Sequence, residues 1–163
     1  MILDNFLVFS GAISAAGVMS GQAVNTAGSF LSTNTVDLAP LALGGNQVFD
    51  VGQGEPLEIA ISILTAPTVG TSVQYQLIQA DDAALSSNVQ VINQTDALPI
   101  ASLTVGQIVA LHYDRAAPYL PKRYIGLRYV NVGAIATASY FAAIVKNIAD
   151  VKNLYGKSGF SVL

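Results

Sequence analysis

Cysteine is absent from this chain of 163 residues, and so is every chemistry that depends on a thiol. No disulfide, thiolate metal site or cysteine nucleophile can form, which suits a reducing compartment. Charged residues make up only 10% of the chain, against 52% apolar residues. A disordered chain needs more charge, and a long helical rod needs more Glu and Lys, so both are excluded. The composition predicts one domain over residues 1–163, whose sparsely charged surface stays soluble through lasting contact with other protein.

Positive charge is missing from the first 114 residues, because all seven Lys and Arg residues lie in the last third. Two explanations compete. In the first, the two parts of the chain interleave in a single fold and their opposite charges meet inside the molecule. In the second, a basic face docks on an acidic partner, including a neighbouring copy of the chain. Seven bases in a chain of net charge −3 are too few for phosphate neutralisation, so we expect no nucleic-acid partner.

Membrane and secretory signals are also missing. Residues 1–17 carry Asp4 as their only charge, and without Lys or Arg they are interpreted as mature sequence rather than as a signal peptide. The longest stretch of low polarity, residues 133–145, is interrupted by Thr137 and Ser139 and is too short to cross a bilayer. We therefore expect no membrane contact.

The sequence contains few residues that could carry out catalysis. The one histidine, His112, stands beside Tyr113 and Asp114, where a structural hydrogen bond is expected rather than the role of a general base. The sequence contains no nucleophile elbow, phosphate-binding glycine loop or calcium loop. Glu55 and Glu58 could serve as the paired carboxylates of a glycosidase only if the fold placed them at the separation that such a pair needs. We predict no catalytic residue, no metal site and no cofactor, and hence no enzyme.

Short strands dominate the pattern. Leu and Ile alternate with polar or small residues over 57–64, the period of a strand with one buried face, and residues 72–79 repeat it. Pro67 and Gly70 mark a turn between the two, which form a hairpin or cross between sheets. Further strands are predicted over residues 89–93, 100–103, 108–113, 123–132 and 137–145, and weaker ones over 6–10, 30–38 and 47–51. About ten short strands predict an all-β sandwich or barrel.

Three segments depart from this pattern. Residues 81–87 have an acidic start and small side chains, which favours a short helical turn or a loop. Residues 11–28 are rich in Gly and Ala without a period, and predict an arm or loop within residues 1–30 that becomes ordered against a partner. The segment 137–145 also fits an amphipathic helix that continues through Asn153, although we favour a strand there.

A cluster of bases and tyrosines occupies residues 114–131. Arg and Tyr are favoured at protein interfaces because each joins a large apolar body to a polar tip. The predicted interface residues are Arg115, Tyr119, Lys122, Arg123, Tyr124 and Arg128. In the competing interpretation, the same bases pair with acids from the first two thirds of the same molecule.

In the order of its motifs, the chain resembles the jelly-roll capsid cement, or decoration, proteins of short-tailed bacteriophages. The opening MILDNFLVFS is followed by STNTVDL at 32–38, GQGEPL at 52–57, ADDA near residue 80 and PKRYIGLRY at 121–129. Gly133 and a final Ala-rich strand come next, whereas the long apolar tail after Lys146 departs from the pattern.

The resemblance implies an eight-stranded jelly roll of two sheets that ties neighbouring major capsid protein subunits together. It implies a location on the capsid exterior of the virion after synthesis in the host cytoplasm, self-association as a dimer or other small homo-oligomer, and no catalysis. One rival is a carbohydrate-binding or receptor-binding jelly roll, in which exposed Tyr119, Tyr124 and Tyr129 stack on sugars. A second rival is an enzyme that acts through His112.

Overall fold

Strands form where apolar and polar residues alternate. The computed structural model describes residues 5–38, 57–113, 121–146 and 148. Its strands are β1 (Val8–Ser10), β2 (Ala12–Ile13), β3 (Met19–Ser20), β4 (Gln22–Ala23), β5 (Gly28–Leu31), β6 (Val36–Asp37), β7 (Leu57–Thr68), β8 (Ser72–Ala80), β9 (Gln90–Gln94), β10 (Leu98–Pro99), β11 (Ile108–Tyr113), β12 (Tyr124–Val132) and β13 (Thr137–Val145). In the same described residues, 3₁₀ turns cover Asn5–Leu7 and Ile100–Ser102. The strand predicted over 47–51 lies outside the described residues.

Two antiparallel sheets carry the fold. Sheet I has the order β1-β13-β7-β11, with β4 also on β13, and sheet II has the order β10-β8-β12-β5, with β9 on β8 and β6 on β12. The pairings are nested, since β1 pairs with β13, β5 with β12, β7 with β11 and β8 with β9. The chain is therefore one long hairpin wrapped over two sheets, which is the jelly-roll arrangement. The predicted all-β sandwich is confirmed.

The core lies between the two sheets. Because successive side chains on a strand point to opposite faces, Ile59, Ile61 and Ile63 of β7 all point inward, and each is at most 1% exposed. Leu77 of β8 and Leu127 of β12 meet them from sheet II and are fully buried. Burial of one such side chain stabilises the fold by roughly 1.5–3 kcal/mol.

Three tyrosines meet at the centre of this core. The rings of Tyr129 and Tyr140 stack with centroids 5.2 Å apart, and Tyr75 lies edge-on to both. The Tyr129 hydroxyl donates to Ser10 Oγ at 2.7 Å and so links β12 of sheet II to β1 of sheet I. Burial raises the pKa of all three phenols, which keeps them neutral. These rings pack the sheets together and are closed to solvent.

β7 is longer than the sequence predicts, because it continues through Pro67 to Thr68. Thr68 lies opposite Thr137 whereas Thr65 lies opposite Ser139, so β7 contains a bulge here. Proline lacks an amide hydrogen and is tolerated within a bulge. β7 and β8 belong to different sheets, so the crossing between sheets is the observed arrangement rather than the hairpin.

The predicted strand over 100–103 is wrong. Leu103 N donates to Ile100 O at 3.0 Å, which closes a 3₁₀ turn instead. The Ser102 hydroxyl donates to Pro99 O at 2.7 Å and supports this turn, because short polar side chains compete for backbone groups.

The predicted strand over 30–38 divides into β5 and β6. Between them, the Ser32 hydroxyl donates to Asn34 O at 2.8 Å and accepts from Leu127 N at 3.0 Å. This hydroxyl turns the chain locally and interrupts the strand.

The segment 11–28 consists of short strands joined by turns. β2 and β3 pair with each other, and β4 pairs with β13 at the edge of sheet I. Beyond β4, Val24 N donates to Ala138 O at 3.0 Å. Within the described residues, this part of the predicted arm is hydrogen-bonded to its own sheet.

Candidate interaction surface

The predicted interface residues that the structure describes lie on β12 or immediately before it. Lys122 and Arg123 precede the strand, Tyr124 begins it and Arg128 lies near its middle. Tyr124 and Arg128 share the outer face of sheet II, because the intervening odd-numbered residues point into the core. Arg115 and Tyr119 lie outside the described residues, so their predicted role is untested.

Arg123 is paired within the molecule. Its Nε donates to Asp37 Oδ1 at 2.9 Å and its Nη2 donates to Asp37 Oδ2 at 2.8 Å, a bidentate contact. The guanidinium carbon also lies 5.1 Å from the ring centroid of Tyr124. The hydrogen bond to Asp37 raises the pKa of Arg123 above its usual value. Sheet register brings the pair together, because Asp37 of β6 lies opposite Tyr124.

Lys122 is paired as well. Its Nζ donates to Asp81 Oδ1 at 3.0 Å, and its backbone N donates to Gln79 Oε1 at 3.2 Å. Asn88 Nδ2 donates to the other oxygen of Asp81 at 2.7 Å. The bonds from Asn88 and then from Lys122 hold the pKa of Asp81 below its usual range. Lys122 and Arg123 thus pair with acids of the same molecule, as in the competing interpretation of the sequence.

Residues 81–87 form a non-helical turn, so of the predicted helical turn and loop the loop is the one observed. The carboxylate of Asp82 accepts from Ser86 N, from the Ser86 hydroxyl and from Ser87 N at 2.6–2.9 Å. These bonds, the Ser86 hydroxyl first, lower the pKa of Asp82. A short acidic side chain thus holds the turn as it would cap a helix.

This turn packs on the outer face of sheet II. Leu85 at its tip is 3% exposed and packs with Ile78 and Ala80 of β8. Tyr124 packs against the same cluster. Gly126 gives Leu85 room, since a Cβ there would lie 2.3 Å from Leu85 Cδ1.

The rest of this outer face is rich in amides, and no described element packs over it. Register aligns Leu31, Arg128, Gln76 and Gln94 in one row across four strands. Arg128 Nε donates to Gln76 Oε1 at 2.6 Å, and Gln76 Nε2 donates to Gln94 Oε1 at 2.8 Å and to Gln74 Oε1 at 3.2 Å. We call this surface the amide face and define it by Leu31, Gln74, Gln76, Gln94, Arg128 and Val130.

Side-chain amides form hydrogen bonds with backbone groups at the edge strands of both sheets. Gln22 donates to Leu31 O at 2.7 Å and accepts from Thr33 N at 3.0 Å beside β5. Asn93 donates to His112 O at 2.8 Å beside β11. Open strand edges invite pairing with other chains, and such caps discourage it. The surface is thus better suited to contacts through side chains than to an added strand.

His112 lies on the surface beside Glu58, and the structural hydrogen bond expected of its side chain stays a prediction. Its side chain is 51% exposed, and its Nδ1 lies 3.7 Å from Glu58 Oε1 across the β7–β11 pair. Glu58 also accepts from the backbone N of Ile148. In the described part of the chain, no group of three or more His, Asp or Glu residues is arranged to hold a metal ion.

The exposed apolar side chains lie mainly on turns and in the N-terminal segment. Phe6 is 84% exposed, and Val69 and Val105 are each 65% exposed. Phe6 also borders an open groove of about 380 Å³. The described residues that line this groove are Phe6, Val8, Gly11, Ala12, Asn34 and Thr35.

The rival interpretation, in which exposed tyrosines stack on sugars, is corrected at Tyr129. Tyr129 is 0% exposed because it points into the core, so no sugar reaches it. Tyr124 is half-buried in the cluster with Leu85. Tyr119 lies outside the described residues.

In the described part of the chain, the fold and this surface define a jelly-roll β-sandwich with amide-capped edges and one polar outer face. The chain belongs to the Bbp16 family, whose model matches residues 18–145. The family is phage-related, which agrees with the source that the resemblance implies, and the cement role stays a prediction. A search of curated proteins finds no match. Among the described residues, no helix is long and apolar enough to span a membrane.

Proposed function

We propose that the protein is a structural component of a phage virion that binds the outside of the capsid and cements neighbouring major capsid protein subunits. The observation that carries this proposal is a jelly roll in a phage-related family. The proposed location is the capsid exterior, and the proposed role involves no catalysis. Copies also associate with one another as a dimer or other small homo-oligomer.

Contacts spread over several neighbours explain how such a protein stabilises a shell. Each copy buries a modest area on more than one coat subunit, and once one contact forms the next is effectively intramolecular. Exposed apolar residues on turns, such as Val69 and Val105, supply area for these contacts. Coat subunits that internal pressure would separate are then bridged from outside.

Binding to capsids that lack the protein tests the proposal. Purified protein is added to such capsids, which are then sedimented and imaged, with capsids of an unrelated phage as the control. We expect saturable binding on the outer surface at a fixed number of copies per coat subunit. Absence of binding, or equal binding to the unrelated capsids, would contradict the proposal.

A further inference from the structure

Arg128 and Arg123 lie near each other in sequence but have different partners. Arg123 binds a carboxylate through two nitrogens, whereas Arg128 binds the neutral amide of Gln76 through Nε alone. Throughout the described residues, no acid forms an ion pair with Arg128, and its Nη1 and Nη2 donate no hydrogen bond. The charge of Arg128 is therefore uncompensated within the described fold, and its two terminal nitrogens remain available.

A network of amides holds the guanidinium in place. Gln76 is only 8% exposed, and its Nε2 donates to both Gln74 and Gln94. These two bonds fix which end of the Gln76 amide faces Arg128. Gln74 is anchored in turn, since its Nε2 donates to Thr95 O at 2.9 Å. An arginine fixed in this way loses less conformational entropy when it binds a partner.

The surroundings of Arg128 indicate the chemistry of that partner. Arg128 carries the only charge on the amide face. Leu31, which lies opposite it on the neighbouring strand β5, is 38% exposed. A guanidinium with two free parallel donors matches a carboxylate, and a neutral surround with an apolar side chain matches a largely uncharged protein surface. Charge complementarity thus favours an acidic side chain on a protein.

We propose that the amide face is a contact with the major capsid protein and that Arg128 receives an Asp or Glu carboxylate there through Nη1 and Nη2. This inference rests on the proposed function and names its chemistry. Lys122 and Arg123 are absent from the contact, because acids of their own chain already hold them.

Charge reversal at Arg128 tests the contact. Arg128→Glu is compared with Lys146→Glu, which reverses an exposed base after β13, in binding to capsids that lack the protein. We expect Arg128→Glu to weaken binding roughly tenfold or more and Lys146→Glu to leave it nearly unchanged. The Tm of both variants should match the wild type. Equal losses in the two variants, or wild-type binding by Arg128→Glu, would overturn the inference while leaving the proposed function intact. If wild-type protein itself fails to bind, the proposed function is what fails.

Two milder variants examine the chemistry. Arg128→Lys keeps the charge but loses the planar pair of donors, so we expect binding between that of wild type and Arg128→Glu. Gln76→Glu supplies Arg128 with a carboxylate of its own, so we expect weaker capsid binding. Its Tm should fall somewhat, because a carboxylate cannot donate to Gln74 and Gln94 as the amide of Gln76 does. Wild-type affinity in both variants would contradict a bidentate contact with a partner's carboxylate.

Discussion

The two ends of the jelly roll hold their loops by different means. β8 and β12 run side by side from one end to the other, with Tyr124 opposite Ala80 and Val132 opposite Ser72. At the first end, ion pairs from Lys122 and Arg123 connect segments that are distant in sequence. We call this the charged end, and we call the opposite one, at Gly70 and Gly133, the turn end.

The turn end relies on close contact between backbones. Gly70 and Gly133 have φ values of +88° and +83°, a region that favours glycine. A Cβ on Gly133 would lie 2.9 Å from Gly70 Cα and 3.1 Å from Thr71 N. Thr71 N also donates to Val132 O at 2.8 Å. Two turns from different parts of the jelly roll therefore interlock without help from charge.

The ion pairs of the charged end join the acidic and basic parts of the sequence. The acids Asp37 and Asp81 come from the first two thirds of the chain, and the bases Lys122 and Arg123 come from the last third. They meet because β6 and β8 both pair with β12. Acids from the early part of the chain therefore neutralise two bases from its last third at the charged end. Arg128 lies further along β12 and takes no part in these ion pairs.

The largest effect is expected at the turn end. Gly133→Ala forces an L side chain into left-handed backbone and against the neighbouring turn, so we expect a loss of about 2–3 kcal/mol in the free energy of unfolding. Denaturant unfolding measures this loss. Gly106→Ala is the matched control, because Gly106 has the same φ of +83° and a Cβ there would meet no atom within 4 Å. The control should lose only about 1 kcal/mol, from backbone strain alone. Equal losses would contradict the interlocked turns.

A smaller effect, dependent on salt, is expected at the charged end. Arg123→Gln removes the bidentate contact with Asp37, so we expect Tm to fall by about 1–3 °C at low salt and by less at high salt. Thermal unfolding at two salt concentrations measures it. The matched control is Arg128→Gln, which removes a base without an ion pair in the described fold. If both variants lose the same stability with the same salt response, the distinction between paired and unpaired bases is wrong.

The smallest effect is expected from acid. The pKa of Asp82 is lowered in the folded state from 3.8, so its contribution to stability is present above that value and is lost as pH falls through the folded pKa. The Tm of Asp82→Asn should therefore fall less than the Tm of the wild type when the pH is lowered from about 5 to about 3. Gly133→Ala should keep the acid response of the wild type, because its defect carries no charge. A wild-type acid response in Asp82→Asn would contradict the role given to this carboxylate.

The sequence predicts the strands of this fold better than it predicts their contacts. Alternation over 57–64 identifies β7 because the period of a strand depends only on neighbouring residues. It fails at Pro67, where the bulge depends on the partner strand, and over 100–103, where Ser102 bonds back to Pro99. Apolar residues at those positions fit either structure, so a local pattern does not distinguish them.

The partners of the interface residues are decided by topology. Asp37 and Arg123 are 86 positions apart, and only the pairing of β6 with β12 brings them together. The alternating amides of β8 are visible in the sequence and mark a polar face. That Gln76 lies beside Arg128 follows from register, which the sequence pattern of one strand does not contain.

The stability of whole particles tests the central claim most directly. Phage particles with and without the protein are heated, and release of DNA is followed with a dye. We predict that particles without the protein release DNA at a lower temperature and that adding the purified protein restores the higher one. Identical release temperatures for both kinds of particle, at full occupancy of the complete ones, would contradict a cementing role.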